Sequence, residues 1–222
     1  MSRRLVLATR NEHKVHELRQ ILGGLVTDLD LEIIGAGDVE GAPDVAETEV
    51  TFLGNARLKA VALAEATGLP ALADDSGLAW GPTEDLDGEA GVIGGSPGVF
   101  SARWSGSAAG PGATRAEVDR ANLHLLLEQL GDVPDEHRAA AFVCAAVLAM
   151  PDGRVHGVEG RVEGRLARAP EGHHGFGYDP VFVPTGQQRT LAEHTDEEKN
   201  AISHRGRAFR ALEPVLRELL GG

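Results

Sequence analysis

The lysines of this chain are few, and their positions suggest a shared chemical task. Of the 21 basic side chains, 18 are arginine, and the three lysines are Lys14, Lys59 and Lys199. Each lysine lies within four residues of an asparagine, although the chain contains only four asparagines. Because a lysine ammonium is a compact charge well suited to phosphate, we predict that the three positions serve one function.

The first of these lysines follows the junction between an apolar run and a helical pattern. The junction consists of Thr9, Arg10, Asn11, Glu12, His13 and Lys14. Free backbone N–H groups and the helix dipole favour an anion at a strand-to-helix junction, and Lys14 on the first turn is within reach of it. The alternative is that Asn11 only caps the helix and that Lys14 faces solvent. Neither a Walker sequence nor a dinucleotide-binding G-x-G-x-x-G occurs in its proper context.

Carboxylates suited to a divalent metal occur at Glu47, Asp74 and Asp75. Mg²⁺ takes few protein carboxylates and leaves room for phosphate oxygens, so two of them suffice. Neighbouring residues at the end of a strand point to opposite faces, and only one of the two aspartates is therefore expected to enter a given site. On its own, the Asp-Asp-Ser-Gly sequence at 74–77 is equally typical of a turn.

A glycine-framed loop contains the only tyrosine of the chain. The loop consists of Gly175, Phe176, Gly177, Tyr178, Asp179 and Pro180. Glycines allow a flat ligand to approach closely, an aromatic ring provides a stacking face, and an aspartate accepts hydrogen bonds from a base edge. The alternative is a tight loop packed on a core.

A second basic cluster surrounds a helix start near the C-terminus. It contains Lys199, Asn200, Ser203, His204 and Arg205. Ser203 is expected to cap the helix, and the dipole at that terminus favours a second anion.

The periodicity of apolar residues predicts strands and helices that intermingle along one α/β unit. Helices are predicted at 12–22, closed by Gly23-Gly24, at 51–67, at 115–130 and from Ser203 onward. Strands are predicted at 5–9, 31–34, 71–73, 78–80, 139–150, 154–159, 164–166 and 181–183. Thr51, Asn55 and Lys59 form a polar stripe on a helix that is otherwise apolar, so this stripe requires partners or a cleft.

Composition excludes several classes of protein. The formal net charge is −13, which argues against a general nucleic-acid binder because no basic field is available to release counterions. No apolar run approaches the ~20 residues that span a bilayer, so no membrane partner is expected. Cys144 is alone, which excludes a disulfide framework within one chain, and a reducing cytoplasm is the expected compartment.

Six segments of the chain occur in an order that is typical of one family. They are Leu7-Ala8-Thr9-Arg10-Asn11 with Lys14; Glu47-Thr48 with Thr51-Phe52 and Asn55-Ala56 through Lys59-Ala60; Ala73-Asp74-Asp75-Ser76-Gly77; Gly94-Gly95-Ser96-Pro97-Gly98-Val99 with Ser101-Ala102-Arg103; Gly175 to Pro180; and Glu198-Lys199-Asn200-Ala201 through Ser203-His204-Arg205. In these segments the chain resembles, over nearly its whole length, the non-canonical purine nucleoside triphosphate pyrophosphatases. This family is also called the inosine triphosphate pyrophosphatase or Ham1-like family. One segment alone is weak evidence, whereas six in register are highly specific.

The resemblance implies an α/β fold with an elongated central mixed sheet flanked by helices, in two lobes with a nucleotide cleft between them. It also implies that residues 1–222 form a single domain and that the protein is a homodimer. The implied reaction is hydrolysis of a purine nucleoside triphosphate, such as ITP, dITP or XTP, to the monophosphate and pyrophosphate with Mg²⁺. Such an enzyme cleanses the nucleotide pool.

The same resemblance implies roles for the acidic and phosphate-side residues. Glu47 and Asp75 lie at the metal, and Asp75 is also the base that activates water. The segment from Thr9 to Lys14 holds phosphate, and Lys59 is a further phosphate-side charge. Ser76 lies beside the substrate.

Recognition of the base and sugar is implied for the aromatic loop from Phe176 to Asp179. Lys199, His204 and Arg205 are implied to complete recognition of the nucleotide. Donors that meet the 6-oxo group of the purine explain discrimination against adenine, since an unpaired buried polar group costs ~1–3 kcal/mol.

Two departures from the family pattern affect details. Glu49 stands where relatives commonly have glycine after Glu-Thr, so the local turn or metal environment is expected to differ. The acidic segment from Gly81 to Val92 is longer than usual and is interpreted as a surface loop. Two other functions remain open: a pyrophosphatase for other modified or pyrimidine triphosphates, and a nucleotide sensor without catalysis.

Overall fold

The computed structural model describes residues 3–81 and 95–221 and has a mixed α/β fold. The strands are β1 (Arg3–Leu7), β2 (Leu31–Gly35), β3 (Ala71–Trp80), β4 (Ser96–Pro97), β5 (Ala139–Ala149), β6 (Val155–Leu166) and β7 (Phe182–Pro184). The helices are α1 (Glu12–Ile21), α2 (Gly23–Leu29), α3 (Phe52–Thr67), α4 (Arg115–Gln129), α5 (Asp196–Ile202) and α6 (His204–Gly221). The predicted fold class is confirmed.

The strands of the described residues form one sheet in the order β2-β1-β3-β5-β6-β7, and β4 pairs with β3. β1 is parallel to both β2 and β3, with Val6 opposite Ala71 and Leu7 opposite Leu72. β4 pairs antiparallel with β3, as β7 does with β6, so the sheet is mixed. Parallel neighbours require crossover connections, and α1 with α2 and then α3 provide them after β1 and β2.

The chain divides into two compact units. Unit 1 comprises 1–75, 144–161 and 203–222, and unit 2 comprises 76–143 and 162–202. The division falls inside β3, β5 and β6, so each of these strands contributes residues to both units. Asp74 and Asp75 therefore belong to unit 1, whereas Ser76 belongs to unit 2.

The core of unit 1 is formed by β1, α1 and α6. Leu5 and Leu7 of β1 and Leu18 of α1 are buried there. On α6, Phe209, Leu212 and Leu216 are fully buried, because their spacing places them on one face of the helix. The predicted apolar side of the last helix is confirmed. Cys144 lies in the same core, as expected for a small apolar residue.

The core of unit 2 packs α4 against the strands of that unit. Leu126 of α4 and Leu130, which follows the end of the helix, are buried with Phe142 of β5 and Phe182 of β7. The two phenylalanine rings are in contact, with their centroids 4.7 Å apart.

Among the residues that the structure describes, no helix has the length and apolar character needed to cross a membrane.

Two differences from the predicted elements occur at glycines. Gly23-Gly24 was expected to close the first helix, but α1 ends at Ile21 and α2 begins at Gly23, which lets Leu25 reach the core. The separate strands predicted at 154–159 and 164–166 form one strand, β6. Within it, a Cβ at Gly160 would collide with the backbone of α6, so this glycine permits close packing and does not break the strand.

The turn considered at 74–77 is not formed, because β3 runs without interruption from Ala71 to Trp80. α5 is a helix that the periodicity did not predict. Most of the acidic segment from Gly81 to Val92 lies outside the described residues.

Candidate active site

The junction between β1 and α1 is closed by a helix cap. Asn11 accepts hydrogen bonds from the backbone N–H groups of His13 and Lys14, at 3.0 and 3.4 Å. Thr9 in turn accepts the N–H of Asn11 at 3.1 Å. The capping role of Asn11 is confirmed, but Lys14 does not face solvent, since its side chain is only 16% exposed.

The other polar residues of this junction are exposed. Arg10 extends toward the segment after β2, where it pairs with Asp44 at 3.0 Å and donates to the carbonyl of Ala42 at 3.4 Å. Glu12 and His13 lie on the exposed first turn of α1. These positions remain predictions as contacts to a substrate.

Asp74 is a buried carboxylate that joins three elements of unit 1. Its Oδ2 atom lies 2.9 Å from the ammonium of Lys14 and accepts hydrogen bonds from Nε and Nη2 of Arg205, at 3.3 and 3.2 Å. Nη1 of Arg205 donates to Glu17 on α1. Two buried acidic and two basic side chains thus neutralise one another, which is the condition under which buried charge is tolerated.

The charges around Asp74 decide its protonation. Burial alone would raise the pKa of this carboxyl, but Lys14, Arg205 and Lys59 outweigh burial and hold the pKa well below the usual range. Burial would likewise lower the pKa of Arg205, whereas Asp74 and Glu17 raise it. Asp74 and Arg205 are therefore both ionised at neutral pH.

Asp75, the next residue of β3, has a different set of partners. Its Oδ1 atom lies 3.2 Å from the ammonium of Lys59, which also donates to Glu47 at 3.0 Å. The Oδ2 atom of Asp75 is buried and has no hydrogen-bond partner among the described residues. Burial raises the pKa of Asp75, and Glu47 adds to this, against the lowering effect of Lys59. The different partners of the two aspartates agree with the expectation that they point to opposite faces.

Helix α3 positions this second carboxylate group. Thr51 caps the helix by accepting the N–H of Gly54 at 3.0 Å. Asn55 accepts the N–H of Glu49 at 2.9 Å and donates to its carbonyl at 3.3 Å, which fixes the segment that contains Glu47. The polar stripe on α3 therefore has partners, as its buried position required. Glu49 is held through its backbone, and its exposed side chain packs over Gly54.

The Glu47 and Asp75 pair fits a hard divalent cation. Two carboxylates lie beside each other, and one of their oxygen atoms is buried without a hydrogen-bond partner in the described chain. Among the described residues there is no group of three or more His, Cys, Asp or Glu side chains suited to a metal. Mg²⁺ is commonly held by one or two carboxylates together with substrate phosphates, so Glu47 and Asp75 are the residues that could hold such an ion.

The aromatic loop lies in unit 2 and packs tightly. Tyr178 is buried, and its hydroxyl donates to the carbonyl of Ser101 at 2.9 Å. Burial raises the pKa of this hydroxyl, with a contribution from Asp119. The ring of Tyr178 is part of the core, which agrees with the alternative of a loop packed on a core.

Phe176, Asp179 and Lys199 form one cluster in this loop. Asp179 accepts the N–H of Phe176 at 2.8 Å and the ammonium of Lys199 at 2.7 Å. The same ammonium lies 4.8 Å from the centroid of the Phe176 ring. Gly175 and Gly177 both have positive φ, which glycine adopts without strain, and they allow the loop to fold over Asp179. Phe176 is half-buried, whereas the ring of Tyr178 is buried.

Ser203, which lies between α5 and α6, and the first residues of α6 are buried. Ser203 caps α6 as expected, because its hydroxyl accepts the N–H of Gly206 at 3.0 Å. His204 and Arg205 follow as the first residues of α6, and both are buried in unit 1.

Ser76 is half-buried in unit 2.

Two members of the charged cluster were not assigned a role at the site from the sequence. Asp74 was a candidate metal carboxylate, but only one of the two neighbouring aspartates was expected to enter the site, and Glu17 was not singled out. The signal for Glu17 is its position three residues after Lys14, on the same face of α1 as the buried Leu18 and Lys14. A carboxylate near the buried face of an amphipathic helix requires a basic partner.

A model of the Ham1 family matches residues 5–215. The chain belongs to the Ham1 family. The "dITP/XTP pyrophosphatase" of Streptomyces coelicolor is 56% identical over 218 residues, which cover 98% of this chain and 99% of the relative.

Solved structures of Ham1 proteins have the same fold. A HAM1 protein from Coxiella burnetii is 40% identical, with a TM-score of 0.77 over 97% of this chain and 99% of the other. A nucleoside-triphosphatase, described as a dITP/XTP pyrophosphatase, from Mycobacterium abscessus is 46% identical, with a TM-score of 0.69 over 95% and 99%. The family resemblance noted in the sequence is confirmed.

Proposed function

We propose that this Ham1 protein hydrolyses dITP, XTP and ITP to the nucleoside monophosphate and pyrophosphate. The observation that carries the proposal is the group formed by Glu47, Asp75 and Lys59, in which Asp75 has one buried oxygen without a hydrogen-bond partner among the described residues. A carboxylate in that state is suited to bind a cation or to accept a proton. Membership of the Ham1 family and the pyrophosphatase named in Streptomyces coelicolor support the substrate class.

The acidic residues are proposed to prepare the reacting water. We assign Glu47 and Asp75 as the groups that hold Mg²⁺, and Asp75 as the acceptor of the proton from the attacking water. When bound, Mg²⁺ supplies charge neutralisation and polarises phosphoryl oxygens. Asp74 stays ionised beside Lys14 and Arg205, so it is a permanent negative charge and not a proton acceptor.

The phosphates are proposed to bind at the start of α1. Lys14 contributes a charged donor, and the segment from Thr9 to His13, including Arg10, Asn11 and Glu12, surrounds it. The N-terminal end of a helix favours anions through its dipole. The triphosphate carries several negative charges, so positive donors must neutralise them before a water molecule can approach phosphorus.

The base and sugar are proposed to be recognised by residues of the aromatic loop and its neighbours. The half-buried ring of Phe176 is proposed to stack on the base, and Gly177 to allow the base to approach that ring closely. The ion pair of Lys199 and Asp179 is proposed to form hydrogen bonds with the base or sugar. The buried Tyr178 holds the loop in place through its hydrogen bond to the carbonyl of Ser101. Ser76, His204 and Arg205 complete the proposed contacts.

A substrate panel tests the proposal against its two rivals. We expect kcat/KM for dITP, XTP and ITP to exceed that for dATP by about one to two decades for each lost contact at the base. A higher kcat/KM for dUTP or dTTP than for any of these would favour a pyrophosphatase for other triphosphates. Nucleotide binding without turnover at any divalent metal would favour a sensor.

Replacing Lys14 by alanine is expected to raise KM more than it lowers kcat. The ammonium lies at the start of α1 and pairs with Asp74, so its loss removes about 1.5–3 kcal/mol of charge-assisted binding to phosphate, which is roughly a tenfold or greater rise in KM. The KM of the native protein should rise with salt more steeply than that of the variant. Steady-state kinetics with dITP at low and high salt measure both effects, and an unchanged KM at low salt would rule out a phosphate contact.

Assembly, compartment and metal identity also remain proposals. We propose a homodimer, a cytoplasmic location and Mg²⁺ as the metal. Mass determination in solution, fractionation of cells and activity with defined metals test these three points separately.

A further inference from the structure

The ammonium of Lys59 has the same number of acceptors as it has hydrogens. It donates to Glu47 Oε1 at 3.0 Å, to Asp75 Oδ1 at 3.2 Å and to the backbone carbonyl of Asp74 at 2.8 Å. A lysine ammonium carries three N–H donors and no acceptor. These three bonds therefore use its whole donor capacity.

Lys14 provides the contrast within the same unit. Its ammonium has one described carboxylate partner, Asp74 at 2.9 Å. Both lysines are nearly equally buried, with side chains 14% and 16% exposed for Lys59 and Lys14. Among the residues that the structure describes, Lys59 thus has three acceptors and Lys14 has one carboxylate partner, although their sequence contexts look alike.

We infer that Lys59 is a positioning residue that acts through Glu47 and Asp75, and that it is not a phosphate ligand. This inference rests on the proposed function, in which those two carboxylates hold the metal. It revises the phosphate-side role that the family resemblance implied for Lys59.

The geometry explains how Lys59 would position both carboxylates. Glu47 lies in the segment before α3, Lys59 lies at the middle of α3, and Asp75 lies on β3. One ammonium bonded to both therefore joins a segment, a helix and a strand. The bond to Oδ1 of Asp75 also fixes the rotamer of that side chain and leaves Oδ2 for another partner.

The charge of Lys59 has a second consequence for the metal. Two adjacent carboxylates carry two negative charges, and the ammonium cancels one of them. A divalent cation approaching the pair alone meets this positive charge at close range. We therefore expect the pair to bind a divalent cation weakly until the negative phosphates of a nucleotide are also present.

Nucleotide binding measured without metal distinguishes a lysine that binds phosphate from a lysine that positions carboxylates. The probe is the α,β-methylene analogue of dITP, which cannot be cleaved at the proposed bond, measured by titration calorimetry in EDTA. We expect Lys59→Met to bind the analogue within about threefold of the native protein, and the matched control Lys14→Met to bind it about tenfold more weakly. A loss in Lys59→Met that equals the loss in Lys14→Met would overturn the inference.

Metal binding and kinetics supply readouts that a purely structural role would not produce. In nucleotide-free protein, Mn²⁺ titrations followed by electron paramagnetic resonance should show about tenfold tighter binding by Lys59→Met, because a repelling charge is removed. With dITP, kcat should fall at least about tenfold while KM stays within about threefold. Unchanged or weaker Mn²⁺ binding, or a rise in KM with kcat retained, contradicts the inference.

A second variant guards against misfolding. Lys59→Gln keeps a polar donor at the same place, and circular dichroism shows whether either variant retains the native fold. Gln lacks the positive charge but keeps N–H donors, so it should show the tighter Mn²⁺ binding of Met and a smaller fall in kcat. Failure of the native protein to cleave dITP would reject the proposed function, whereas the analogue titrations would still decide whether Lys59 contacts phosphate.

Discussion

Replacing Asp75 by asparagine is expected to lower kcat for dITP by at least about a thousandfold, through loss of the proton acceptor and of one metal carboxylate. Asparagine has nearly the same shape, so the bond from Lys59 can be kept at the amide oxygen. Affinity for the α,β-methylene analogue should therefore remain measurable. Single-turnover and steady-state kinetics, together with calorimetry, provide both values.

The control for this variant is Asp152→Asn. Asp152 lies in the exposed turn between β5 and β6, where it pairs with Arg154. The same chemical change there should leave kcat unaltered. A folded Asp75→Asn protein with kcat close to that of the native enzyme would overturn the assignment of Asp75.

Replacing Arg205 by methionine is expected to lower the free energy of unfolding by about 3–5 kcal/mol, because it leaves buried carboxylates without their cation. The guanidinium of Arg205 is 2% exposed and bonds both Asp74 and Glu17. Methionine fills much of the same volume, so loss of charge is the main change. Urea unfolding at neutral pH measures the difference.

The matched control is Arg217→Met on the same helix. Arg217 also pairs with two carboxylates, those of Asp28 and Glu213, but its side chain is 42% exposed. Exposed ion pairs are screened by water, so this variant should unfold close to the native midpoint. Equal losses in the two variants would show that burial does not control the contribution of these ion pairs.

Much of the candidate site could be predicted from local sequence. The cap at Asn11, the cap at Ser203 and the stripe on α3 each depend on residues within a few positions of one another. Local hydrogen bonds and helix periodicity are short-range properties, so a single sequence contains them. The alternation of Asp74 and Asp75 follows from strand geometry in the same way.

The ion-pair partners could not be predicted in this way. Arg205 and Asp74 are more than a hundred residues apart in sequence, and α1, β3 and α6 must pack before the two side chains meet. Three acceptors around Lys59 likewise come from a loop, a backbone carbonyl and a strand. Only tertiary structure distinguishes Lys59, with three acceptors, from Lys14, which has one carboxylate partner among the described residues.

One missed element did have a local signal. Thr195 and Glu198 form a capping box at the start of α5, with the N–H of Thr195 bonded to Glu198 at 3.0 Å. The Thr-x-x-Glu pattern is visible in the sequence. It was missed because the seven-residue helix is too short to show apolar periodicity.

Product analysis of dITP cleavage tests the central claim most directly. The purified protein is incubated with dITP and Mg²⁺, and the phosphorus products are followed by ³¹P nuclear magnetic resonance. We predict that dIMP and pyrophosphate form in equal amounts and that orthophosphate does not accumulate alongside them. Formation of dIDP and orthophosphate, or no cleavage at all, would contradict the account.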